Sequence, residues 1–117
     1  MSSCPGLLFS SADWYQLSPS LLTVTETTND LYGAASYALV QPASVALWAR
    51  TLLANRGART GAEWAELVAR YNSGTCDNQW MIVDHKLFTA GAASLTPDLL
   101  PVSEQARFPA APSPPAT

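Results

Sequence analysis

The chain has 117 residues, of which 48% are hydrophobic and only 13% are charged, and its net charge is −3. This length suffices for one small domain with a core, and the six scattered basic residues argue against nucleic acid as a partner. No apolar run approaches the roughly 18 residues of a membrane span, and Met1–Gly6 lacks the basic segment of a signal peptide. Because the charge content is about half the globular average, we expect other protein, absent from this chain, to cover part of the surface.

The first third of the chain predicts strands. Leu7–Phe9 predicts a strand end, and Ser10–Tyr15 predicts a polar turn that begins like a helix. Leu21–Thr28 has the strongest strand pattern, because Thr and Val dominate it and its period of two defines two faces. One face carries Leu22, Val24, Glu26 and Thr28, and the other carries Thr23, Thr25 and Thr27. Glu26, in line with two apolar residues, should either reach solvent at the strand end or be held by partners near a site. Residues 31–40 predict a loop or a short second strand.

Two amphipathic helices are predicted in the middle of the chain. The first begins near Pro42 and ends at Asn55–Gly57, with an apolar stripe of Val45, Trp48, Leu52 and Leu53. The second begins with a capping box, in which Thr60 is the N-cap and Glu63 reaches back to the Thr60 amide. Its apolar stripe consists of Trp64, Leu67, Val68 and Tyr71. Both helices should lie on the sheet formed by the strands at 21–28 and 79–83.

The stretch Arg70–Asp84 combines a polar loop, up to Gln79, with the uninterrupted apolar run Trp80–Val83. A polar loop that enters a buried strand can hold side-chain amides at the rim of a rigid sheet, where they could donate to an oxyanion or bind a polar substrate. The alternative is a helix C-terminus followed by a turn, because Asn and Gly suit left-handed caps. The pattern alone favours the turn, since polar turns outnumber active sites.

The chain lacks a recognisable catalytic centre of its own. Cys4 and Cys76 form no C-x-x-C pair, and with the single His85 they cannot complete a metal site, so we expect no metal and no cofactor. A disulfide between the two thiols is possible, but the sequence does not support it. Asp84 and His85 are an improbable proton-transfer pair, because adjacent strand residues point to opposite faces. From Phe108 the chain is rich in Pro and Ala, so we expect a domain at 1–105 and a disordered tail at 106–117.

Four motifs resemble the phospholipase B-like family. Tyr71–Asp84 reads Y-N-S-G-T-C-D-N-Q-W-M-I-V-D and closely resembles the family signature Y-N-S-G-T-Y-N-N-Q-W-M-V-V-D. Thr25–Asn29 is similar to its T-E-T-T-N, and Ser3–Leu17 is similar to its S-x-P-G-x-L-F-S-x-D-D-F-Y-x-L. The residues between Trp48 and Trp64 are similar to its W-x-R, A-N-R and G-x-E-W. The resemblance covers about residues 3–105.

This resemblance implies an α+β fold that is part of a four-layer αββα sandwich of the N-terminal nucleophile hydrolase type, with antiparallel strands covered by two helices. It also implies an acyl hydrolase that cleaves ester or amide bonds, with lipid deacylation as the named activity and a freed N-terminal Cys as the nucleophile. Family members are much longer, so we expect this chain to be a fragment whose partner is the remainder of the parent chain. The nucleophile belongs to an upstream segment, and neither Cys4 nor Cys76 takes its place. The parent protein would be secreted or lysosomal.

Carried over residue by residue, the resemblance assigns catalytic roles to Thr27, Thr28, Asn72 and Asn78. One Asn and one Thr of this set would donate to the tetrahedral oxyanion, and the substrate side would include Glu26, Asn29 and Arg70, with Glu26 or Arg70 orienting the donors. The substrate would be a lipid or an N-acyl compound. Two rival hypotheses are a non-catalytic, decayed paralogue with a structural or interaction role, and a small independent α+β binding domain. The last predicts a cooperative melt of the isolated chain, whereas the fragment hypothesis does not.

Overall fold

The computed structural model describes residues 14–30, 33–40 and 42–105. In these ranges the strands form one antiparallel sheet in chain order, made of β1 (Trp14–Leu17), β2 (Leu22–Thr28), β3 (Asn78–Asp84) and β4 (Val102–Gln105). The helices between β2 and β3 are α1 (Ala34–Tyr37), α2 (Leu47–Gly57) and α3 (Gly61–Ala69), and a 3-10 helix at His85–Leu87 follows β3. The predicted α+β fold, with antiparallel strands and helices, is confirmed.

The two faces of the sheet differ in burial. β2 pairs with β3 along its whole length, from Leu22 opposite Asp84 to Thr28 opposite Asn78. The face toward α3 is closely packed and includes the buried residues Leu22, Val24, Trp80 and Ile82. The opposite face carries Thr25 and Met81, with Trp14 and Val102 exposed on the outer strands. The alternation predicted for β2 therefore holds, and one face is buried by helices.

Two tryptophans join α3 to the sheet. Trp64 of α3 and Trp80 of β3 are both buried, and their ring centroids lie 4.9 Å apart. Each indole N–H has an acceptor, since Trp64 Nε1 donates to Asn55 Oδ1 and Trp80 Nε1 donates to Gln105 Oε1, each at 2.8 Å. Because a buried indole N–H without a partner is costly, these bonds let both rings pack in the core while linking α2 to α3 and β3 to β4.

The predicted capping box is present at the start of α3, with one change of partner. Thr60 Oγ1 accepts a hydrogen bond from the Glu63 amide at 3.2 Å, as predicted. The Glu63 carboxylate accepts from the Arg59 amide at 2.7 Å rather than from the Thr60 amide. The apolar stripe is buried at Trp64 and Val68, whereas Tyr71 is exposed because the helix has already ended at Ala69.

The apolar stripe predicted for the first helix is wrong. α2 begins at Leu47, not near Pro42, and two residues of the predicted stripe, Trp48 and Leu53, are exposed by 56% and 63%. The buried residues of α2 are instead Arg50, Thr51 and Ala54. Short side chains at this contact let α2 pack closely against α3, and Arg50 is buried because backbone carbonyls accept its hydrogen bonds.

Three local predictions also differ from the structure. Trp14 and Tyr15 belong to β1 rather than to a polar turn, because they pair with Thr25 and Val24 of β2. Residues 34–37 form a short helix instead of a loop or strand, and β4 was not anticipated. The predicted strand end Leu7–Phe9 and the predicted tail 106–117 lie outside the described residues. In the part of the chain that the structure describes, every helix is too short or too polar to cross a lipid bilayer.

Candidate functional site

The segment that joins α3 to β3, residues 70–77, is here called the signature loop. Three of its residues have left-handed backbones, namely Tyr71 (φ 56°), Gly74 (φ 75°) and Cys76 (φ 51°). Gly adopts this conformation freely, but for a side chain such as Tyr or Cys it costs on the order of 1 kcal/mol. The loop therefore has an unstrained left-handed turn at Gly74 and strained backbones at Tyr71 and Cys76, which surrounding contacts must hold in place.

Asn72 is the centre of those contacts. Its Oδ1 accepts hydrogen bonds from the Gly74 amide at 3.0 Å, from Arg50 Nη2 at 3.2 Å and from Gln105 Nε2 at 3.3 Å. Gln105 also donates to Cys76 O at 3.5 Å, while its Oε1 is held by Trp80. One side-chain oxygen thus connects the signature loop to α2, to β4 and to the core of the sheet.

Arg50 contacts the start of the signature loop from the buried side. It is 2% exposed; Nε donates to Val45 O at 2.9 Å, and Nη1 donates to Val68 O. Burial lowers the pKa of the Arg50 guanidinium from its usual value, and the nearby Asp77 carboxylate and Cys76 raise it. Since the ordinary pKa of arginine is so high, the buried group stays charged and can hold two carbonyls and one amide oxygen at once.

Most of the predicted site residues meet at one end of the two central strands, where β2 ends and β3 begins. This end of the sheet is called the edge below. Thr28 lies opposite Asn78, which in turn lies opposite Gln105. Asn29 extends this edge, because its backbone N–H donates to Asp77 O at 2.8 Å and its Nδ2 donates to Glu104 Oε2 at 2.7 Å. The pairing of β2, β3 and β4 therefore brings together side chains that are distant in sequence.

Asn78 and Glu26 are neighbours at this edge. Asn78 is buried, and in the orientation that its surroundings dictate its Nδ2 lies 2.8 Å from Asp77 O and 3.3 Å from Glu26 Oε2. Of the two environments expected for Glu26, the structure thus gives the one in which partners hold it. Thr27 and Thr28 are exposed at the strand end, and as adjacent strand residues they lie on opposite faces of the sheet.

Arg70 lies apart from this group. Its guanidinium forms an ion pair with Glu66 one turn back on α3, and both side chains are exposed. The hydrogen bond from Arg70 to Glu66 is the main cause of the raised pKa of Arg70. The predicted role of Arg70 in orienting the donors remains a prediction, since it would require the side chain to leave Glu66.

The Asp84–His85 pair has no shared site. Asp84 is buried and forms an ion pair with Lys86 Nζ at 2.7 Å. His85 is exposed, and its Nε2 lies 2.8 Å from Thr23 Oγ1. Within residues 14–30, 33–40 and 42–105, no three His, Cys, Asp or Glu side chains are grouped so that they could hold a metal ion.

Sequence reasoning missed Arg50 and Gln105 as partners of the signature loop. Arg50 is the third residue of the W-x-R motif, and a charged residue at a family-motif position in the middle of a helix is a signal that it has a buried partner. Gln105 carried no such signal, because β4 itself was not predicted.

The fold and the site define a class: an α+β domain that presents amides and hydroxyls at the edge of an antiparallel sheet, on a strained loop held from beneath. The family model described as phospholipase B matches residues 1–111, and the chain belongs to that family.

Individual relatives agree with this family. Phospholipase B-like protein E of Dictyostelium discoideum is 42% identical over 104 residues, which are 89% of this chain and 19% of that protein. Phospholipase B-like protein D of the same organism is 47% identical over 74% of this chain and 15% of its own length. Human phospholipase B-like 2 is 45% identical over 89% of this chain and 18% of its own length. The chain thus spans less than a fifth of each of these relatives.

Proposed function

We propose that this chain is part of an acyl hydrolase that cleaves ester or amide bonds in lipid catabolism, and that it supplies donors on the substrate side of the active site. Family membership and the names of the relatives support this proposal. The nucleophilic Cys would come from another segment of a longer parent chain, so residues 1–105 would act as a fragment of the whole domain. The substrate would be a lipid or an N-acyl compound.

The observation that carries the proposal is the state of the Asn72 side chain. Its Oδ1 accepts three hydrogen bonds, from Arg50, Gly74 and Gln105. An Asn side chain donates only through Nδ2, and the three bonds to Oδ1 fix the direction of that group. A donor held in advance in this way is what stabilisation of an oxyanion requires, because no reorganisation is needed when charge develops.

The sheet edge would supply the second donor and its support. The hydroxyl of Thr27 or Thr28 is exposed there, and would donate with Asn72 to the tetrahedral intermediate. Asn78, held by Glu26 and by Asp77 O, would keep the edge rigid. Both N–H groups of its Nδ2 are engaged there, so it would replace Asn72 as the amide donor only by releasing one of these acceptors. Asn29 and Arg70 would contact the polar part of the substrate.

The proposal extends to the architecture and location of the parent protein. The sheet face opposite α3, with exposed Trp14 and Val102, would pack on a second sheet and so complete an αββα sandwich. The family resemblance further suggests that the parent protein is secreted or lysosomal, and the Pro- and Ala-rich composition after Phe108 suggests a tail at 106–117.

The test uses a chimeric protein, called the graft, in which residues 3–105 of this chain replace the matching segment of phospholipase B-like protein E. Hydrolysis of phosphatidylcholine and of an N-acyl amide is measured for the graft and for the 117-residue chain alone. We expect hydrolysis by the graft and none by the chain alone.

Asn72→Asp keeps the oxygen acceptors and removes the Nδ2 donor, so it should lower kcat of the graft by about a hundredfold while leaving the loop folded.

Ala62→Asp is the control, because it also introduces a carboxylate, at an exposed position in the first turn of α3. Its kcat should equal that of the unmodified graft. Full activity of Asn72→Asp would mean that Asn72 only shapes the turn. Hydrolysis by the 117-residue chain alone would overturn the fragment hypothesis, and a folded but inactive graft of an active relative would favour the decayed paralogue.

A further inference from the structure

A cleft adjoins the signature loop, and Gln105 is not among its lining residues. Its volume is about 600 Å³, and one wall is mostly apolar while the other is the loop itself. The cleft is lined by Val40, Pro42, Ser44, Ala46, Leu47, Trp48, Ser73, Thr75 and Cys76. This volume lies within the range of small-molecule sites in proteins. We propose that this cleft binds the acyl chain of an amphiphilic substrate or product, an inference that rests on the proposed function.

The lack of charge and the apolar surface of the lining residues indicate which kind of ligand the cleft binds. None of the nine lining residues carries a full charge, so the cleft offers nothing to neutralise a phosphate or a carboxylate along its length. Its apolar wall includes Trp48, whose side chain is 56% exposed although it is the largest of the set. Covering this indole and its neighbours with methylene groups removes apolar surface from water, which is the interaction that binds acyl chains.

The polar groups of the lining lie mainly at the loop wall, with Ser44 the one polar residue of the opposite wall. Ser73 Oγ and Thr75 Oγ1 lie 2.8 Å apart and share a hydrogen bond, and the Cys76 thiol is exposed beside them. A ligand with a long apolar part and one polar end fits this division, with its polar end against the hydroxyls. Ser73 directly follows Asn72, the residue proposed to donate to the oxyanion, in the signature loop.

Hydrogen bonds connect the two walls of the cleft, so the cleft is formed before a ligand binds. The Val45 amide donates to Tyr71 O at 3.1 Å, and Arg50 donates both to Val45 O and to Asn72. These bonds join the segment before α2 to the signature loop. A cleft formed in advance binds a flexible chain with less loss of entropy than one that must assemble around it.

The exposed thiol provides a direct readout of occupancy. The chain has two cysteines, so Cys4→Ser leaves Cys76 as the single reporter. In this variant of the full 117-residue chain we measure the rate of Cys76 alkylation by N-ethylmaleimide, without ligand and with decanoate, decanoyl lysophosphatidylcholine or glycerophosphocholine, all below micellar concentrations. Both decanoyl compounds should slow alkylation by about tenfold at saturation, and glycerophosphocholine, which has no acyl chain, should not. Slowing by one decanoyl compound alone shows which polar end the hydroxyls accept.

Variants of two exposed residues of α2 separate the cleft from general surface adsorption. Trp48→Ser removes the main apolar lining residue and should raise the ligand concentration needed for half protection by about tenfold. Leu53→Ser removes a residue that is equally exposed on the same helix, at 63%, but does not line the cleft, and should leave that concentration unchanged.

The proposal is overturned if no decanoyl compound protects Cys76, if glycerophosphocholine protects it equally, or if Leu53→Ser weakens protection as much as Trp48→Ser. A Cys76 that resists alkylation without ligand would show that another part of the chain fills the cleft, which also overturns it. The readout is binding and not hydrolysis. An inactive graft with full protection would therefore refute the proposed hydrolase function alone, and an active graft without protection would refute the acyl cleft alone.

Discussion

Arg50→Lys is the sharpest test of how the signature loop is held. Arg50 donates to Val45 O, to Val68 O and to Asn72 Oδ1. A lysine has one compact ammonium group and cannot reach three acceptors that surround a planar guanidinium, so we expect it to lose two of the three bonds. At about 1.5 kcal/mol for each bond to a charged group, the loop should be destabilised by about 3 kcal/mol.

Amide hydrogen exchange measures this effect locally. The Gly74 amide donates to Asn72 Oδ1 at 3.0 Å and opens when the loop loses its support. A loss of about 3 kcal/mol should speed its exchange by about a hundredfold, since about 1.4 kcal/mol corresponds to a factor of ten. The Ile82 amide, which donates to Pro101 O at 3.0 Å in the core of the sheet, should change much less.

Arg56→Lys is the matched control, because Arg56 is an exposed arginine on the same helix. It should leave the exchange of Gly74 within about twofold of the unmodified chain, as is usual for surface substitutions. If Arg50→Lys raised Gly74 exchange by less than about threefold, the loop would not depend on the guanidinium. If Ile82 accelerated as much as Gly74, the variant would have weakened the whole sheet, and the local argument would be wrong.

Three further substitutions test the packing of α3 by urea denaturation. Trp64→Ala should cost about 3–5 kcal/mol, because a fully buried indole packed on Trp80 is lost; a loss below about 2 kcal/mol would contradict that packing. Gly61→Ala should cost about 1–3 kcal/mol, since the new Cβ would lie 2.9 Å from Pro101 Cγ. Gly57→Ala, whose Cβ would meet only an ordinary contact at 3.5 Å, is its control and should not destabilise. Thr60→Ala should cost about 1 kcal/mol by removing the N-cap, whereas Thr60→Ser, which keeps the hydroxyl, should cost less than half as much.

The elements that the sequence predicted well are those whose signals are local. The N-cap of α3 depends on Thr60 and Glu63, three residues apart, and the structure contains that hydrogen bond. The alternation in β2 follows from the pleat of one strand, and the burial of Leu22 and Val24 agrees with it. In each case the sequence window that carries the signal also contains the interacting atoms.

The outer strands could not be predicted in the same way. β1 exists because Trp14–Leu17 pairs with Thr25–Leu22 of β2, and β4 exists because Val102–Gln105 pairs with Met81–Asn78 of β3. Each is four residues long, too short for a period of two to stand out from a turn. The information lies in the neighbouring strand and not in the segment itself.

The apolar stripe of α2 was wrong because size and hydrophobicity were taken as a guide to burial. The α2–α3 contact instead buries Thr51 and Ala54 together with Arg50, which leaves Trp48 and Leu53 outside. A charged residue becomes a good interior residue when carbonyls and an amide surround its guanidinium. No hydropathy pattern contains those acceptors, since they come from Val45, from α3 and from the signature loop.

The same distinction separates what could be predicted about the site from what could not. A motif identified Asn72 as a candidate donor, but an amide has one oxygen and one nitrogen, and a motif cannot say which of them is already used. The partners that use Oδ1 are 22 residues before Asn72, at Arg50, and 33 residues after it, at Gln105, so only the folded chain shows that the oxygen is the engaged atom. The turn and catalytic interpretations of the loop are then compatible, because the bonds that shape the turn through the oxygen are the same bonds that aim the nitrogen.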